Sequence, residues 1–146
     1  AIRQNLPGHF CWQLNDTYIE DARAMAYGHA FVMLAAAHGV RAEIDGAADL
    51  LEESWQLMEE LFWDADHSAY ADERDQTLDI LSPYRGQNAN MHAVEALLAA
   101  YESTNETRYL DRSSIIAHKF TVAMTASTDG QILEHYTINW QHDQQN

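Results

Sequence analysis

Cys11 is the only cysteine in the 146 residues, so no internal disulfide can form and the chain is not a small secreted scaffold held by cross-links. Basic side chains are scarce: 8 Lys and Arg against 23 Asp and Glu leave a formal net charge of −15. A surface of that sign repels phosphate backbones and anionic headgroups, so neither nucleic acid nor membrane is an expected partner. The longest uninterrupted apolar run, Ala30 to Ala37, falls far short of the ~18 residues that a spanning helix needs. The opening residues AIRQNLPG lack the basic-then-apolar layout of a secretory signal; with the single cysteine, this makes a cytoplasmic protein the expectation. Gly-rich phosphate loops, paired cysteines, HExxH and GxSxG are also absent, which leaves nucleotide, zinc-protease and serine-hydrolase chemistry without a motif.

What is present is a core. Hydrophobic residues make up 47% and charged residues 21%, the balance of a globular domain, and the length suits one domain rather than two. Ala22, Met25, Ala26, His29, Ala30, Met33, Leu34 and Ala37 recur at helical spacing, which predicts a helix over 21–37, stopped by His38 and Gly39. Leu50, Leu51, Trp55, Leu57, Met58, Leu61 and Phe62 predict a second helix over 46–62 that packs back on the first, its glutamates facing water. The period then stops. Aspartates, Pro83 and Gly86 mark 63–87 as a long loop with a small hairpin around 66–70, and a loop of this length in a compact domain is a candidate site. Asn90 is the expected cap of a third helix running to about Ser103, and a fourth spans about 109–126. The expected organisation is a first helical hairpin over 21–62, a site loop over 63–87, a second hairpin over 88–126, and a loop and tail over 127–146.

The two hairpins align without a gap at an offset of 63 residues: HAFVMLAAA from His29 lies over HAVEALLAA from His92, and FWDAD from Phe62 over TASTD from Thr125. A repeated hairpin leaves an apolar face that neighbouring hairpins must cover. The chain starts without methionine and stops soon after Tyr136 and Trp140, so the expectation is part of a longer polypeptide, with Gln141 to Asn146 as a polar tail.

The densest polar run, PYRGQNANMHAVE from Pro83 to Glu95, passes from the loop into a helix start. His92 and Glu95, three apart, share a helix face, and Asn88 precedes them by one turn. Amide, imidazole, carboxylate and the Arg85 guanidinium can converge there on one polyhydroxylated ligand. A capping network built from the same residues is the plainer reading. Tyr27, on the helix that the repeat sets beside this one, offers a hydroxyl; His29 reads equally well as a core histidine with its hydrogen bonds satisfied. Trp140, with His135 and Tyr136, suits either stacking on a sugar ring or closing the core.

The runs RGQNANMHAVEALLAAYESTNETRYLDRS, AMAYGHAFVMLAAAHG and ILEHYTINW resemble the N-acylglucosamine 2-epimerase family, especially its aldose–ketose isomerase branch. The resemblance implies an all-α (α/α)6 barrel, a toroid of six helical hairpins, of which this chain holds about two; six repeats near this length need roughly 380 residues. It implies a monosaccharide bound where the inner helices begin, with Tyr27, Asn88 and His92 at sugar-binding positions and Glu95 supporting the site; His92 is the expected catalytic residue, Arg85 a further expected substrate contact, and no metal or cofactor is expected. The chemistry implied is isomerisation of a mannose-type sugar through an enediol by general acid–base catalysis, with the family's principal acid/base histidines on later hairpins outside this chain. Those hairpins, or a second copy, are expected to cover the apolar faces. Two other classes compete: a noncatalytic helical-repeat interaction module, and an (α/α)6 glycoside hydrolase, which needs a second carboxylate that no comparable helix start supplies.

Overall fold

Four helices in two antiparallel hairpins carry the chain, in a computed structural model that describes residues 8–16 and 18–144; the start of the chain and the last two residues of the expected tail lie outside the described residues. Helix α1 (Ala26–Arg41) turns back into α2 (Ala47–Leu61), and α3 (Gln87–Thr104) into α4 (Thr107–His118). Helices α1 and α3 pack against each other along a seam of small residues, Ala26, Ala30, Ala37, Ala89, Ala93, Ala96 and Ala100, all buried, with Met33 and Leu97 filling between them. Helices α2 and α4 form an outer layer, joined by ion pairs from Glu52 to Arg108 and from Glu59 to Arg112. Among the described residues no helix is long and apolar enough to cross a membrane.

Among the described residues eight short strands, all paired antiparallel, accompany the helices. Strands β1 (Gln13–Asn15) and β2 (Tyr18–Asp21) form a hairpin, as do β4 (Trp63–Asp64) and β5 (Ala69–Tyr70). The other two pairs close the helical hairpins: β3 (Ala24–Met25), just ahead of α1, pairs with β6 (Glu73–Arg74), and β7 (Arg85–Gly86), just ahead of α3, pairs with β8 (His135–Tyr136). Because α1 and α3 begin where α2 and α4 finish, these strands gather at one rim; the opposite rim has only short turns.

Helix boundaries depart from the periodicity for physical reasons. The first helix starts at Ala26, not near Asp21, because residues 18–21 and 24–25 pair as strands, and the apolar Ala22 and Met25 only happen to continue the helical spacing. It also runs through Gly39 to Arg41. Gly39 is not a stop: it is buried within the helix, and a Cβ there would lie 2.9 Å from the Ala47 Cβ, so the missing side chain lets α1 and α2 meet. The third helix begins at Gln87, with Gly86 and not Asn90 at its cap. The fourth leaves α geometry after His118 for a wide π turn over Lys119–Ala123 and a 3-10 turn over Thr125–Ser127. There the Thr121 hydroxyl donates to the Ala117 carbonyl and that of Thr125 to the Thr121 carbonyl, bonds that compete with the helical ladder.

Candidate functional site

The inner helices start with matching chemistry. Helices α1 and α3 begin 61 residues apart, at Ala26 and Gln87, so by helix position Tyr27 corresponds to Asn88, His29 to Asn90 and Phe31 to His92. The expected offset of 63, which pairs His29 with His92, is displaced from the helix starts by two residues. Phe31 and His92 meet across the seam with ring centroids 4.8 Å apart, and the Tyr27 ring stands edge-on to His92 at 5.0 Å and beside Phe31 at 4.9 Å. Trp12 approaches Tyr27 edge-on at 6.1 Å. Two rings, Tyr27 and Phe31, thus border the imidazole, with Trp12 behind Tyr27.

The partner of His92 also fixes its tautomer. Its Nδ1 lies 3.1 Å from a carboxylate oxygen of Glu95, and an ionised carboxylate only accepts, so Nδ1 carries the proton. Neutral His92 therefore presents the Nε2 lone pair, a proton acceptor; protonated, it presents a donor at the same point. The side chain of His92 is 22% exposed and that of Glu95 58%, which leaves the pair open to a ligand. Asn88 lies exposed in the first turn of α3, its amide without a hydrogen bond among the described residues.

Beneath these side chains the N-terminal turns are anchored by backbone. The Ala26 N–H donates to the Asp72 carbonyl at 2.8 Å and the Gln87 N–H to the Glu134 carbonyl at 3.0 Å, so each inner helix has its first N–H satisfied by the segment that closes its own hairpin. Asn90, fully buried, accepts from the Tyr70 N–H at 2.8 Å and donates to the Tyr70 carbonyl at 2.9 Å and the Gly86 carbonyl at 3.1 Å. It is a clamp between α3 and β5, not a helix cap. His29 plays the corresponding part on α1: Nδ1 donates to the Met25 carbonyl at 2.8 Å and Nε2 accepts the Phe10 N–H at 3.2 Å. Burial pushes its pKa down to about 4, so it sits neutral in the core.

Asp72 is the buried acid of this rim. Its carboxylate accepts the Gly86 N–H at 2.7 Å, yet desolvation outweighs that bond and the nearby Arg85 charge and pushes its pKa up to about 7. Tyr84 folds over Gly86 and shares a 2.8 Å hydrogen bond with His135 Nδ1.

Of the expected site residues, the structure brings Tyr27 and His92 into contact and sets Asn88 and Glu95 on the same helix end. Arg85 it turns elsewhere: the side chain is buried, and Nη1 donates to the Ser82 and Tyr84 carbonyls at 2.6 and 2.8 Å, bracing the loop that leads into β7. It borders a separate cavity of ≈ 410 Å³ shared with Asp64 and Arg74. Trp140 closes the core, buried against Phe120 and Tyr136, its Nε1 donating to Asp64 at 3.3 Å. Two residues were missed in the sequence. Phe31 follows Tyr27 at the i+4 spacing that puts both on one face, a signal that was available; Asp72, alone in a loop of many aspartates, carried none.

Paired hairpins whose inner helices start at one rim define a segment of an (α/α)6 toroid. The chain belongs to the N-acylglucosamine 2-epimerase (GlcNAc 2-epimerase) family, which it matches over residues 1–146. It is 36% identical over 141 residues to a D-mannose isomerase of Marinomonas mediterranea, covering 96% of this chain and 36% of that protein. The crystal structure of a D-mannose isomerase superposes with a TM-score of 0.89 at 36% identity, over 93% of this chain and 35% of that one. A cellobiose 2-epimerase from Bacillus thermoamylovorans shares the fold at a TM-score of 0.81 and 16% identity, over 91% of this chain and 37% of that one. The chain thus spans about a third of the length of the relatives it matches.

Proposed function

We propose that this chain forms part of the sugar site of an aldose–ketose isomerase acting on mannose or a closely similar monosaccharide. The observation that carries the reading is the imidazole of His92, held between Tyr27 and Phe31, its Nδ1 proton directed to Glu95 and its Nε2 left open at the rim where the inner helices begin. The likeness to D-mannose isomerases over nearly the whole chain supports it.

Converting an aldose to its ketose moves the C2 hydrogen to C1 and the O2 proton to O1 through an enediol. Nε2 of His92 suits the second transfer: as a lone pair it takes the O2 proton, and as imidazolium it returns a proton to O1, while Glu95 stabilises the intervening cation. The carbon-to-carbon transfer belongs to a base on hairpins outside this chain. Asn88 and the Tyr27 hydroxyl orient the sugar hydroxyls, and the missing hairpins close the toroid over exposed apolar residues such as Ile115 and Val122. A 2-epimerase shares the C2 deprotonation but returns the proton to the other face of C2.

The test is kinetic, in the full-length protein that contains this chain. His92→Ala is expected to lower kcat for mannose by about 10²-fold or more, whereas Asn88→Ala acts mainly on KM. Deuterium from solvent should appear at C1 of the ketose. Unchanged kcat in His92→Ala removes His92 from the site, and label confined to C2 of a 2-epimer marks an epimerase.

A further inference from the structure

Tyr27 and His92 belong to different helical hairpins, so their 5.0 Å ring contact depends on how far α1 and α3 are slid along each other. The smooth seam of alanines between the two helices offers few large side chains to fix that register. Another element has to do it.

The buried strap Tyr70–Ala71–Asp72 touches both helices within three residues. At Tyr70, Asn90 of α3 grips both backbone polar groups. At Ala71, the N–H donates to the Phe62 carbonyl at 2.8 Å, tying the strap to the end of α2. At Asp72 the two inner helices meet one residue: its carbonyl takes the first N–H of α1, one residue before Tyr27, and its carboxylate takes the N–H of Gly86, the residue immediately before α3. The fit is close on the carboxylate side. A Cβ on Gly86 would lie 2.9 Å from the other Asp72 carboxylate oxygen and 2.8 Å from the Tyr84 hydroxyl, although the backbone there, with φ −130°, accepts any residue. Glycine is therefore required by the clamp and not by the turn. Holding this carboxylate out of water costs free energy, as its raised pKa shows, so hydrogen bonding at Asp72 is not explained by stability alone.

We propose that Asp72 is a positioning residue for the isomerase reaction, setting the axial register of α1 against α3 through its two hydrogen bonds so that Tyr27 and His92 address the same sugar. This rests on the function proposed above. A displacement of reacting groups by about 1 Å is enough to lower turnover 10²-fold, and the Gly86 contact is the one that Asp72 makes through its side chain. The nearby charged groups, Arg85 on β7 and Glu73 on β6, act on its carboxyl through space; neither makes an ion pair with it.

The test uses three variants of the full-length protein, with His92→Ala measured beside them. Asp72→Ala removes the Gly86 link and should lower kcat by about 10- to 100-fold with KM within about threefold of the parent. Asp72→Asn keeps an oxygen that accepts the Gly86 N–H and should retain kcat within about threefold. Gly86→Ala leaves Asp72 in place but pushes its carboxylate aside, and should reproduce the loss in Asp72→Ala; it decides the matter if Asp72→Ala does not fold by circular dichroism. A folded Asp72→Ala or Gly86→Ala with parental kcat overturns the inference, as does Asp72→Asn as impaired as Asp72→Ala. If His92→Ala itself turns over normally, the functional reading has failed; if it is inactive while the clamp variants are normal, only the role of Asp72 has.

Discussion

Replacing Asn90 with alanine should cost stability on the scale of a large apolar truncation in the core. The side chain is fully buried and makes three hydrogen bonds, two of them to the N–H and carbonyl of Tyr70, itself without exposure. Alanine leaves the Tyr70 N–H and carbonyl without partners in a place water does not reach, while the Gly86 carbonyl keeps the helical bond that it accepts at the start of α3. Each such group costs about 1–3 kcal/mol, and relaxation recovers part of the sum, so a loss of about 2–4 kcal/mol is expected. Against a total of about 5–15 kcal/mol for an ordinary domain this is a large fraction. Urea unfolding followed by far-ultraviolet circular dichroism measures it, as a lower midpoint at unchanged slope. Asn90→Asp should be at least as damaging, since a carboxylate cannot donate to the two carbonyls and brings a charge into the core. A loss under about 1 kcal/mol for Asn90→Ala would refute the clamp and return Asn90 to the role of a replaceable surface amide.

The two glycines of α1 should respond in opposite directions. Gly39→Ala forces α1 from α2 at the Ala47 Cβ and should destabilise by about 1–2 kcal/mol after the gain in helix propensity, whereas Gly28→Ala, whose Cβ meets only the Trp12 ring at 3.4 Å, should be neutral or stabilising by up to about 1 kcal/mol; thermal melts compare them directly. The pH dependence of stability should be flatter than either buried group alone would give. His29, with its folded pKa pushed down to about 4 from 6.5, binds protons more readily when unfolded and loses stability as pH falls through that window. Asp72, pushed up to about 7 from 3.8, holds its proton more tightly when folded and loses stability as pH rises through nearly the same window. Asp72→Asn should therefore unmask the histidine, with stability falling by about 3 kcal/mol between pH 6.5 and 4 in urea titrations; an unchanged pH profile would show that Asp72 carries no such shift.

The amphipathic periods of α1 to α4 determined an all-α hairpin architecture, because a helix with one apolar stripe has to bury it against another helix. The polar run at the start of α3 pointed to His92, Asn88 and Glu95, and the family resemblance drew on that run together with AMAYGHAFVMLAAAHG and ILEHYTINW. Spacing within a helix is a local property: His92 and Glu95 meet because three residues return to the same face, whatever the rest of the chain does. What lies ahead of each helix is not local. The strand pairs β3 with β6 and β7 with β8 join residues about 50 apart, and they moved the start of α1 later and that of α3 earlier than propensity suggests. Asn90 has the composition of a cap in sequence and became a clamp because β5 arrives beside it with two unsatisfied backbone groups. Arg85, a plausible ligand for a sugar in the linear motif, was turned toward loop carbonyls, since β7 buries its side chain at the loop. Asp72 could not be told from its neighbouring aspartates until two helix starts, distant in sequence, converged on it: only folding removes that carboxylate from water, and desolvation, not residue type, sets its chemistry.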